Sequence, residues 1–367
     1  MSVTKEQVLA ALSHVIDPDL KKDLVSLDMI GNIEIEGKNI RFTLILTTPA
    51  CPLKESIKRA CIEAVKKHVA SDAVVEVNIT SKVTSNRPKN EVLLPQVKNI
   101  IAVASGKGGV GKSTVAANLA VALGMTGAKV GLLDADIYGP SLPLMFGLTD
   151  AETEIEEKKG KTIIKPMTKF GIKLLSIGFF VDSSKALVWR GPMASSALKQ
   201  LFSDTDWGEL DYLVVDLPPG TGDIHLTLVQ SVPVTGVAIV STPQKVALAD
   251  ARKAVSMFQN ESINVPVLGL IENMAWFTPA ELPENKYFIF GKDGCKNLAD
   301  ELHLPLLGQI PLVQSVCESG DQGIPAVLDE NSPIAHAFML MAENIAQQVA
   351  LRNANHEPTK IVEISNK

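Results

Sequence analysis

The stretch of this sequence that decides its fold is Gly106-Lys107-Gly108-Gly109-Val110-Gly111-Lys112-Ser113-Thr114. An apolar run that predicts a buried strand, Ile100–Ala104, comes before it, and a segment with helical periodicity comes after it. A strand, a glycine-rich turn ending in Gly-Lys-Ser and a helix form the context that the pattern G-x-x-x-x-G-K-[ST] requires. The stretch therefore predicts a loop that holds the phosphates of a nucleotide.

The residue types in this loop each have a chemical reason to be there. Glycines let successive backbone N–H groups turn toward phosphate oxygens, and a helix that begins near Lys112 adds the positive end of its dipole. We expect Lys112 to neutralise the β- and γ-phosphates, the Ser113 hydroxyl to ligate Mg²⁺, and Thr114 to reach the α-phosphate. The stretch also satisfies the dinucleotide pattern G-x-G-x-x-G, but Lys112 argues against that alternative, because a dinucleotide site has no use for a lysine there.

Carboxylates at two predicted strand ends complete this site. A nucleotide-hydrolysing site needs a second acidic group for Mg²⁺ and a group that positions water. Asp216 follows three apolar residues and precedes the loop Pro218–Asp223, so we predict that it binds Mg²⁺ through water. Asp134 and Asp136 end another apolar run. Helix capping is the competing role for such residues, and we expect at least one of the two to act in the site.

In the region 99–352, short apolar runs alternate with longer helical segments. This pattern is typical of a single α/β domain. The predicted strands are Ile100–Ala104, Lys129–Asp134, Tyr212–Asp216, Thr235–Ser241, Val267–Glu272 and Leu306–Ile310. Ser332-Pro333 predicts the start of a last helix that runs to about Leu351, and residues 353–367 read as a polar tail. The predicted fold is a P-loop NTPase with a mostly parallel sheet flanked by helices.

Residues 1–80 predict a separate small α+β domain, joined to the rest by a polar linker at 81–98. Thr4 and Gln7 match a capping box that opens a helix, and Asp17-Pro18 is predicted to end it. The remaining predicted elements are a hairpin of Ile30–Glu36 and Asn39–Leu46 around Gly37, a helix near Leu53–Val69 and a strand at Val74–Ile79.

Composition excludes several classes of protein. The net charge is -6 and no dense run of Lys and Arg occurs, so we expect no nucleic-acid partner. No apolar run reaches the roughly 18 residues of a transmembrane helix, and we expect no membrane partner. The four cysteines are too few and scattered for a disulfide framework, which favours the reducing cytoplasm.

Several motifs resemble one known class of ATPase. Lys107–Lys112 is similar to the deviant Walker A motif of the MinD, ParA and nitrogenase-iron-protein class, with the extra lysine at Lys107. Four further segments resemble those of the Mrp/ApbC-type iron–sulfur cluster carriers: Asp134–Ser141, Arg190–Met193, Asp216–Asp223 and Glu272–Met274. In the N-terminal domain, Thr47–Pro52 is similar to the T-x-P-x-C-P segment of a small iron–sulfur-assembly domain often fused to these ATPases.

The resemblance implies a function and additional site residues. It implies a homodimer in which Lys107 reaches the partner's nucleotide and acts with Lys112 in catalysis. It also implies that Asp136 positions the attacking water and that Asn273 contacts adenine. The implied activity is slow hydrolysis of ATP, with Mg²⁺, coupled to the transfer of an iron–sulfur cluster to apoprotein acceptors.

One expected feature of these carriers is missing. They usually have Cys-x-x-Cys shortly after the Asn-Met pair, so that two subunits supply four thiolates for a [4Fe–4S] cluster. Here Asn273-Met274 is followed by Ala275–Pro283, which contains no cysteine. Three interpretations are open: Cys295 still holds a cluster with its symmetry mate, Cys51 carries or accepts the cluster, or the chain has lost tight cluster binding.

The rival function is a MinD- or ParA-like regulatory or positioning switch ATPase without cluster cargo. MinD-type proteins end in a basic amphipathic membrane helix, whereas the tail after Glu357 is neither basic nor long. ParA-type proteins need a basic DNA-binding surface, and this chain is acidic. Both comparisons favour the carrier. A scaffold that binds nucleotide without turnover is a third alternative.

Overall fold

In this computed structural model, the structure describes residues 3–87, 93–158, 160–180, 191–279 and 281–362. Arg190 of the motif Arg190–Met193 lies outside these ranges, as do residues 88–92 of the predicted linker and 363–367 of the predicted tail. The chain divides into two compact units. The first contains residues up to Thr84 together with Ala346–His356, and the second contains the remainder.

The first unit is a small α+β fold. Its elements are α1 (Lys5–Leu12), β1 (Ile30–Glu36), β2 (Asn39–Leu46), α2 (Lys54–His68) and β3 (Val74–Ser81). The strands form one sheet in the order β1-β2-β3, in which the first pair is antiparallel and the second is parallel. Alternate residues of β2, among them Ile40, Phe42 and Leu44, are buried in a core that includes Cys61 of α2. Cys61 is therefore a small core hydrophobe, as its place in an apolar helical pattern predicts.

The capping box at the start of α1 is confirmed, because the side chains of Thr4 and Gln7 each accept a hydrogen bond from the other residue's backbone N–H. The predicted end of this helix is wrong. The helix ends at Leu12, with Ser13 as its C-cap, and does not extend to Asp17. The Asp17 carboxylate instead accepts hydrogen bonds from the N–H groups of Asp19 and Leu20, at 2.9 and 2.8 Å, which closes a local turn.

The second unit is built on an eight-stranded sheet. The strands of this unit are β4 (Val97–Ala104), β5 (Val130–Asp134), β6 (Ile155–Lys158), β7 (Lys161–Ile164), β8 (Met167–Lys169), β9 (Ile172–Ser176), β10 (Leu210–Asp216), β11 (Gly236–Ser241), β12 (Val267–Phe277) and β13 (Leu306–Leu312). Of these, β6 and β7 form a separate two-stranded hairpin, and the other eight form the large sheet. The helices are α3 (Lys112–Met125), α4 (Leu142–Met145), α5 (Gly191–Ser203), α6 (Asp223–Ser231), α7 (Lys245–Gln259), α8 (Gly294–Leu302), α9 (Gln314–Asp321) and α10 (Pro333–Asn355), the last of which contributes its residues from Ala346 to the first unit. Among the described residues no helix is long and apolar enough to cross a membrane.

The strand order of the large sheet is β13-β12-β11-β4-β10-β5-β9-β8. All neighbouring pairs are parallel except β8 and β9. This arrangement confirms the predicted α/β fold with a mostly parallel sheet and all six predicted strands. Four short strands between Ile155 and Ser176 were not predicted, and β4 begins at Val97, inside the segment predicted to be linker.

The order of the central strands gathers the predicted site at one edge of the sheet. The strand β10 lies between β4 and β5, so that Asp216 is in register with Val103 on one side and Asp134 on the other. Because the three strands are parallel, the loops that follow them leave from the same edge. Helix α3 covers the sheet with a segment, Val115–Leu123, in which every residue is buried.

Candidate functional site

The loop between β4 and α3 has the backbone that a phosphate cradle needs. Gly109 and Gly111 have φ angles of 81° and 76°, in the left-handed region that favours glycine, and Gly111 is the N-cap of α3. Gly106 is required for a different reason, since a Cβ there would lie 2.1 Å from the backbone of Asp250 in α7. The second glycine of Gly-x-x-x-x-Gly is thus required by its left-handed backbone, and the first by the close approach of α7 to the loop.

Asn273 packs directly against this loop. Its side-chain nitrogen donates a hydrogen bond to the Val110 carbonyl at 2.9 Å, and the residue is buried in the middle of β12. A Cβ at Gly111 would lie 2.2 Å from that same nitrogen. Asn273 therefore stabilises the phosphate loop through its hydrogen bond to Val110. Its predicted contact with adenine stays a prediction.

We expect Gly111→Ala to lower the stability of the protein more than a matched glycine substitution outside the site. The left-handed backbone costs a non-glycine residue about 1–2 kcal/mol, and displacing the Asn273 amide adds about 1–3 kcal/mol of overpacking. Gly127→Ala is the control, because Gly127 has a φ of 96° but nothing within 4 Å of an added Cβ. Thermal unfolding without nucleotide measures both, and equal losses would contradict the Asn273 contact.

Lys112 and Asp216 form a buried ion pair at the centre of the site. The Lys112 ammonium donates to Asp216 Oδ1 at 2.5 Å and to the Ser113 hydroxyl at 3.2 Å. The two side chains are 6% and 0% exposed. Burial raises the pKa of Asp216, and Lys112 opposes that rise. The lysine therefore stabilises a carboxylate that would otherwise be an isolated buried charge.

The donor groups around Asp216 fit a magnesium ion. Asp216 Oδ2 is buried and has no hydrogen-bond partner among the described residues. Ser113 is next to Lys112 and shares its ammonium, so a carboxylate oxygen and a hydroxyl converge near the N-terminus of α3. Hard oxygen donors with room for water and phosphate ligands are what Mg²⁺ requires.

Asp134 and Asp136 have different environments. Asp134 is fully buried and accepts hydrogen bonds from the Ser176 hydroxyl at 2.9 Å and from the backbone N–H groups of Asp136 and Leu142. Burial, followed by the charge of Asp216, raises the pKa of Asp134. Asp134 therefore fixes the loop that carries Asp136. Asp136 is only half-buried, and burial raises its pKa while Lys112 opposes the rise.

A cavity of about 230 Å³ brings most of the predicted nucleotide residues together. It is lined by Ser105, Lys107, Gly108, Gly109, Gly111, Lys112, Ser113, Thr114, Asp136, Met145 and Pro219. Met145 was not singled out in the sequence, whereas Pro219 belongs to the predicted loop Pro218–Asp223. Lys107 is exposed at the rim, whereas Lys112 lies inside. The cavity thus has an interior cation, an exposed cation and a carboxylate.

The two cysteines predicted as cluster ligands lie in different units, with Cys51 in the first and Cys295 in the second. Cys51 is half-buried at the turn before α2 and lines a narrow cleft with Thr47, Asp17 and Asp19. Cys295 is fully buried in α8, and its backbone N–H donates to the Glu272 carboxylate at 2.6 Å. Burial raises the pKa of the Cys295 thiol far above its usual range, which disfavours the thiolate that a cluster requires. Within the described ranges of a single copy, no three His, Cys, Asp or Glu residues are placed to hold a metal ion.

Sequence reasoning missed the burial of one residue beside this site, His225. The sequence places it near the start of a helix, and it is the third residue of α6. Its ring is 1% exposed, and neither ring nitrogen has a hydrogen-bond partner in the part of the chain that the structure describes. The apolar spacing of α6 was the only available signal, and it cannot distinguish a core histidine from one that faces a cavity.

Two family models match this chain. Residues 96–346 match the model described as NUBPL iron-transfer P-loop NTPase. Residues 5–79 match the model described as iron–sulfur cluster assembly protein. The two matches fall on the α/β region and on the small α+β region, respectively.

Curated relatives match almost the full chain. An iron–sulfur cluster carrier protein from Synechocystis sp. is 47% identical over 355 residues, which cover 95% of this chain and 99% of the relative. A protein of the same description from Escherichia coli is 41% identical over 346 residues, covering 94% and 92% of the two chains. Among solved structures, a nucleotide-binding protein from Archaeoglobus fulgidus in complex with ADP has a TM-score of 0.57 and 36% identity, covering 67% of this chain and 93% of that one.

Proposed function

This chain belongs to the family of NUBPL-type iron-transfer P-loop NTPases, as its motifs predicted, and from that premise we propose that it is an ATP-dependent iron–sulfur cluster carrier. The observation that supports nucleotide binding is that Lys112, Ser113 and Asp136 line one cavity, while the buried carboxylate of Asp216 pairs with Lys112. The cargo part is supported by near full-length similarity to proteins that are named cluster carriers. Transfer of the cluster to apoprotein acceptors follows from that name.

Nucleotide binding in this proposal begins with an exchange of partners by Lys112. The ammonium leaves Asp216 Oδ1 for the β- and γ-phosphate oxygens, while the backbone N–H groups of Gly109–Ser113 surround the same phosphates. Asp216, through water, and the Ser113 hydroxyl would hold Mg²⁺, which would neutralise charge on the phosphates. Asn273 keeps the loop in the shape that this requires.

Hydrolysis uses the half-buried carboxylate of Asp136. A water oxygen forms a bond to the γ-phosphorus, the bond from that phosphorus to the β–γ bridging oxygen breaks, and the water's proton passes to Asp136. The products are ADP and inorganic phosphate. Lys107 is exposed at the rim, a position from which it can reach the nucleotide of a second copy in a homodimer.

Cys51 is the better placed of the two proposed cluster ligands. It lies at a turn and is partly accessible, whereas Cys295 is enclosed in the core. The enclosure of Cys295, with the missing Cys-x-x-Cys, is also the observation that favours the second candidate function, a nucleotide switch without cargo.

Anaerobic reconstitution with iron and sulfide tests the cargo. We expect the wild-type protein to bind iron and sulfide, to show the visible absorbance of a cluster, and to activate an apoprotein acceptor. Cys51→Ser should remove most of this absorbance, since it removes an accessible thiolate ligand. Cys317→Ser is the matched control, because Cys317 is exposed and was not predicted as a ligand.

A colourless wild-type protein that still binds ATP would support the switch function and contradict the carrier. Absorbance that survives Cys51→Ser but is lost with Cys295→Ser would transfer the ligand role to the buried cysteine.

A further inference from the structure

Met274 has a backbone conformation that is rare for its residue type. Its φ angle is 55°, in the left-handed region that favours glycine. The residue lies inside β12, where an extended backbone is the rule, and its side chain is half-buried. Strain of this kind persists only where the surrounding structure holds it, and it is concentrated at functional sites. Met274 therefore calls for an explanation from its contacts.

The pairing between β12 and β13 is irregular at the same place. Asn273 pairs with Ile310, and the next pair along the two strands is Phe277 with Leu312. The segment between these pairs is longer in β12 than in β13, so β12 bulges over the segment that contains Met274. A bulge can re-aim a side chain that a regular strand would direct to the other face.

The bulge brings two consecutive side chains to the phosphate loop. The carboxylate of Glu272 accepts a hydrogen bond from the Cys295 N–H in α8, whereas the next residue, Asn273, contacts the phosphate loop. Regular alternation would return Met274 to the side of Glu272. Instead, Met274 Cε lies 3.6 Å from the position of a Cβ built on Gly111, and the Asn273 amide nitrogen lies 2.2 Å from the same position. Asn273 and Met274 thus enclose Gly111 together.

Gly111 is the residue of the loop that most needs such support. It is the N-cap of α3, and its φ of 76° is one that its own side chain cannot help to fix. Glycine has the largest backbone freedom of any residue, so its conformation must be selected by its neighbours. The N–H groups that follow Gly111 are those that bind phosphate at a helix N-terminus.

We propose that Met274 is a positioning residue for nucleotide binding, and that the strained bulge around it keeps its side chain against Gly111 so that the phosphate loop is formed before ATP binds. The inference rests on the proposed nucleotide site and adds a residue to it. It also explains the left-handed backbone of Met274, which aims this side chain to the same side as that of Asn273. A preformed loop loses less conformational freedom on binding, which raises affinity without altering the chemical step.

The test compares three replacements in the full-length protein. Met274→Ala removes the side chain beyond Cβ and keeps the backbone strain, Met274→Gly removes both, and Met274→Leu keeps most of the apolar volume. ATP binding with Mg²⁺, steady-state hydrolysis and thermal unfolding without nucleotide are measured for each. We expect Met274→Ala to raise the Kd for ATP about ten-fold, which corresponds to a loop that is formed about one-tenth of the time, and to retain kcat at saturating ATP. Met274→Leu should bind ATP within about two-fold of the wild type.

Met274→Gly separates positioning from packing. Glycine accepts the left-handed backbone without strain, so this variant should melt at a higher temperature than Met274→Ala and still bind ATP at least as weakly. Met257→Ala is the control, because Met257 is a half-buried methionine of α7 outside the site. It should lower the melting temperature and leave the Kd for ATP unchanged.

Wild-type affinity in folded Met274→Ala would overturn the inference and leave the proposed function intact. A Kd that follows the melting temperature across the three variants would also overturn it, because it would indicate a packing role. If Met274→Ala does not fold, Met274→Gly takes its place in the comparison with Met274→Leu. A wild-type protein without affinity for ATP would instead overturn the proposed function, and this inference with it.

Discussion

Lys112→Ala is expected to abolish binding of ATP at concentrations that saturate the wild-type protein. Lys112 is the only cation that the site places inside the cavity, among the residues the structure describes, and its charge-assisted bonds to phosphate are lost. Two such bonds together account for a loss in affinity of about 100-fold or more. Isothermal titration with ATP and Mg²⁺ measures the change.

The experiment on Lys112 must distinguish a loss of ATP binding from a loss of folding. Removing Lys112 leaves Asp216 as an unpaired buried charge, which costs about 3–5 kcal/mol. The double variant Lys112→Met with Asp216→Asn removes both charges, so it should fold and still fail to bind ATP in the absence of Mg²⁺. Lys129→Ala is the control, since Lys129 is an exposed lysine that pairs with Glu209 at the other edge of the sheet. Wild-type affinity in the double variant would disprove the assignment of the phosphate site.

Asp136→Asn is expected to preserve ATP binding and to reduce kcat by about 100-fold or more, the usual contribution of a positioned proton acceptor. The asparagine side chain keeps an oxygen in place of Asp136 Oδ1, which accepts from the Gly139 N–H at 3.3 Å, so the loop should retain its shape. What the variant loses is the capacity to take the proton of the attacking water. Single-turnover hydrolysis together with nucleotide titration separates the two effects.

Asp150→Asn provides the matched control, because Asp150 is an exposed aspartate in the loop after α4. Its turnover should equal that of the wild type. If Asp136→Asn hydrolysed ATP at the wild-type rate, the carboxylate would have no catalytic role and another group would have to position the water.

Much of the fold could be predicted because its signals are local. Buried parallel strands such as Leu213–Asp216 are continuous apolar runs, and a glycine-rich turn between a strand and a helix has few alternative structures. The strand Ile155–Lys158 was missed for the corresponding reason. Ile155–Lys158 is exposed along its length and carries three charged residues, so it lacks the apolar signature of a strand.

The arrangement of site residues that lie in one short segment could be predicted from the sequence. The contacts between residues far apart in the sequence could not. The roles of Lys112 and Ser113 depend on the loop that contains them, whereas the task of Asn273 depends on a contact with Val110, far away in the sequence. The difference between Asp134 and Asp136 depends on Ser176 and Leu142, which no pattern connects to them. The burial of His225 arises from packing against another helix, at Phe258.

The complete enclosure of helix α3 limits how a bound nucleotide can alter the shape of this unit. A helix without a solvent-facing side, from Val115 to Leu123, cannot shift without opening voids throughout the packed interior. We therefore expect α3 and the phosphate loop before it to keep their positions when a nucleotide binds. We therefore expect the change in shape that distinguishes ATP from ADP in the loops that follow β5 and β10, whose exposed residues Tyr138 and Pro219 line a cavity with Asp136.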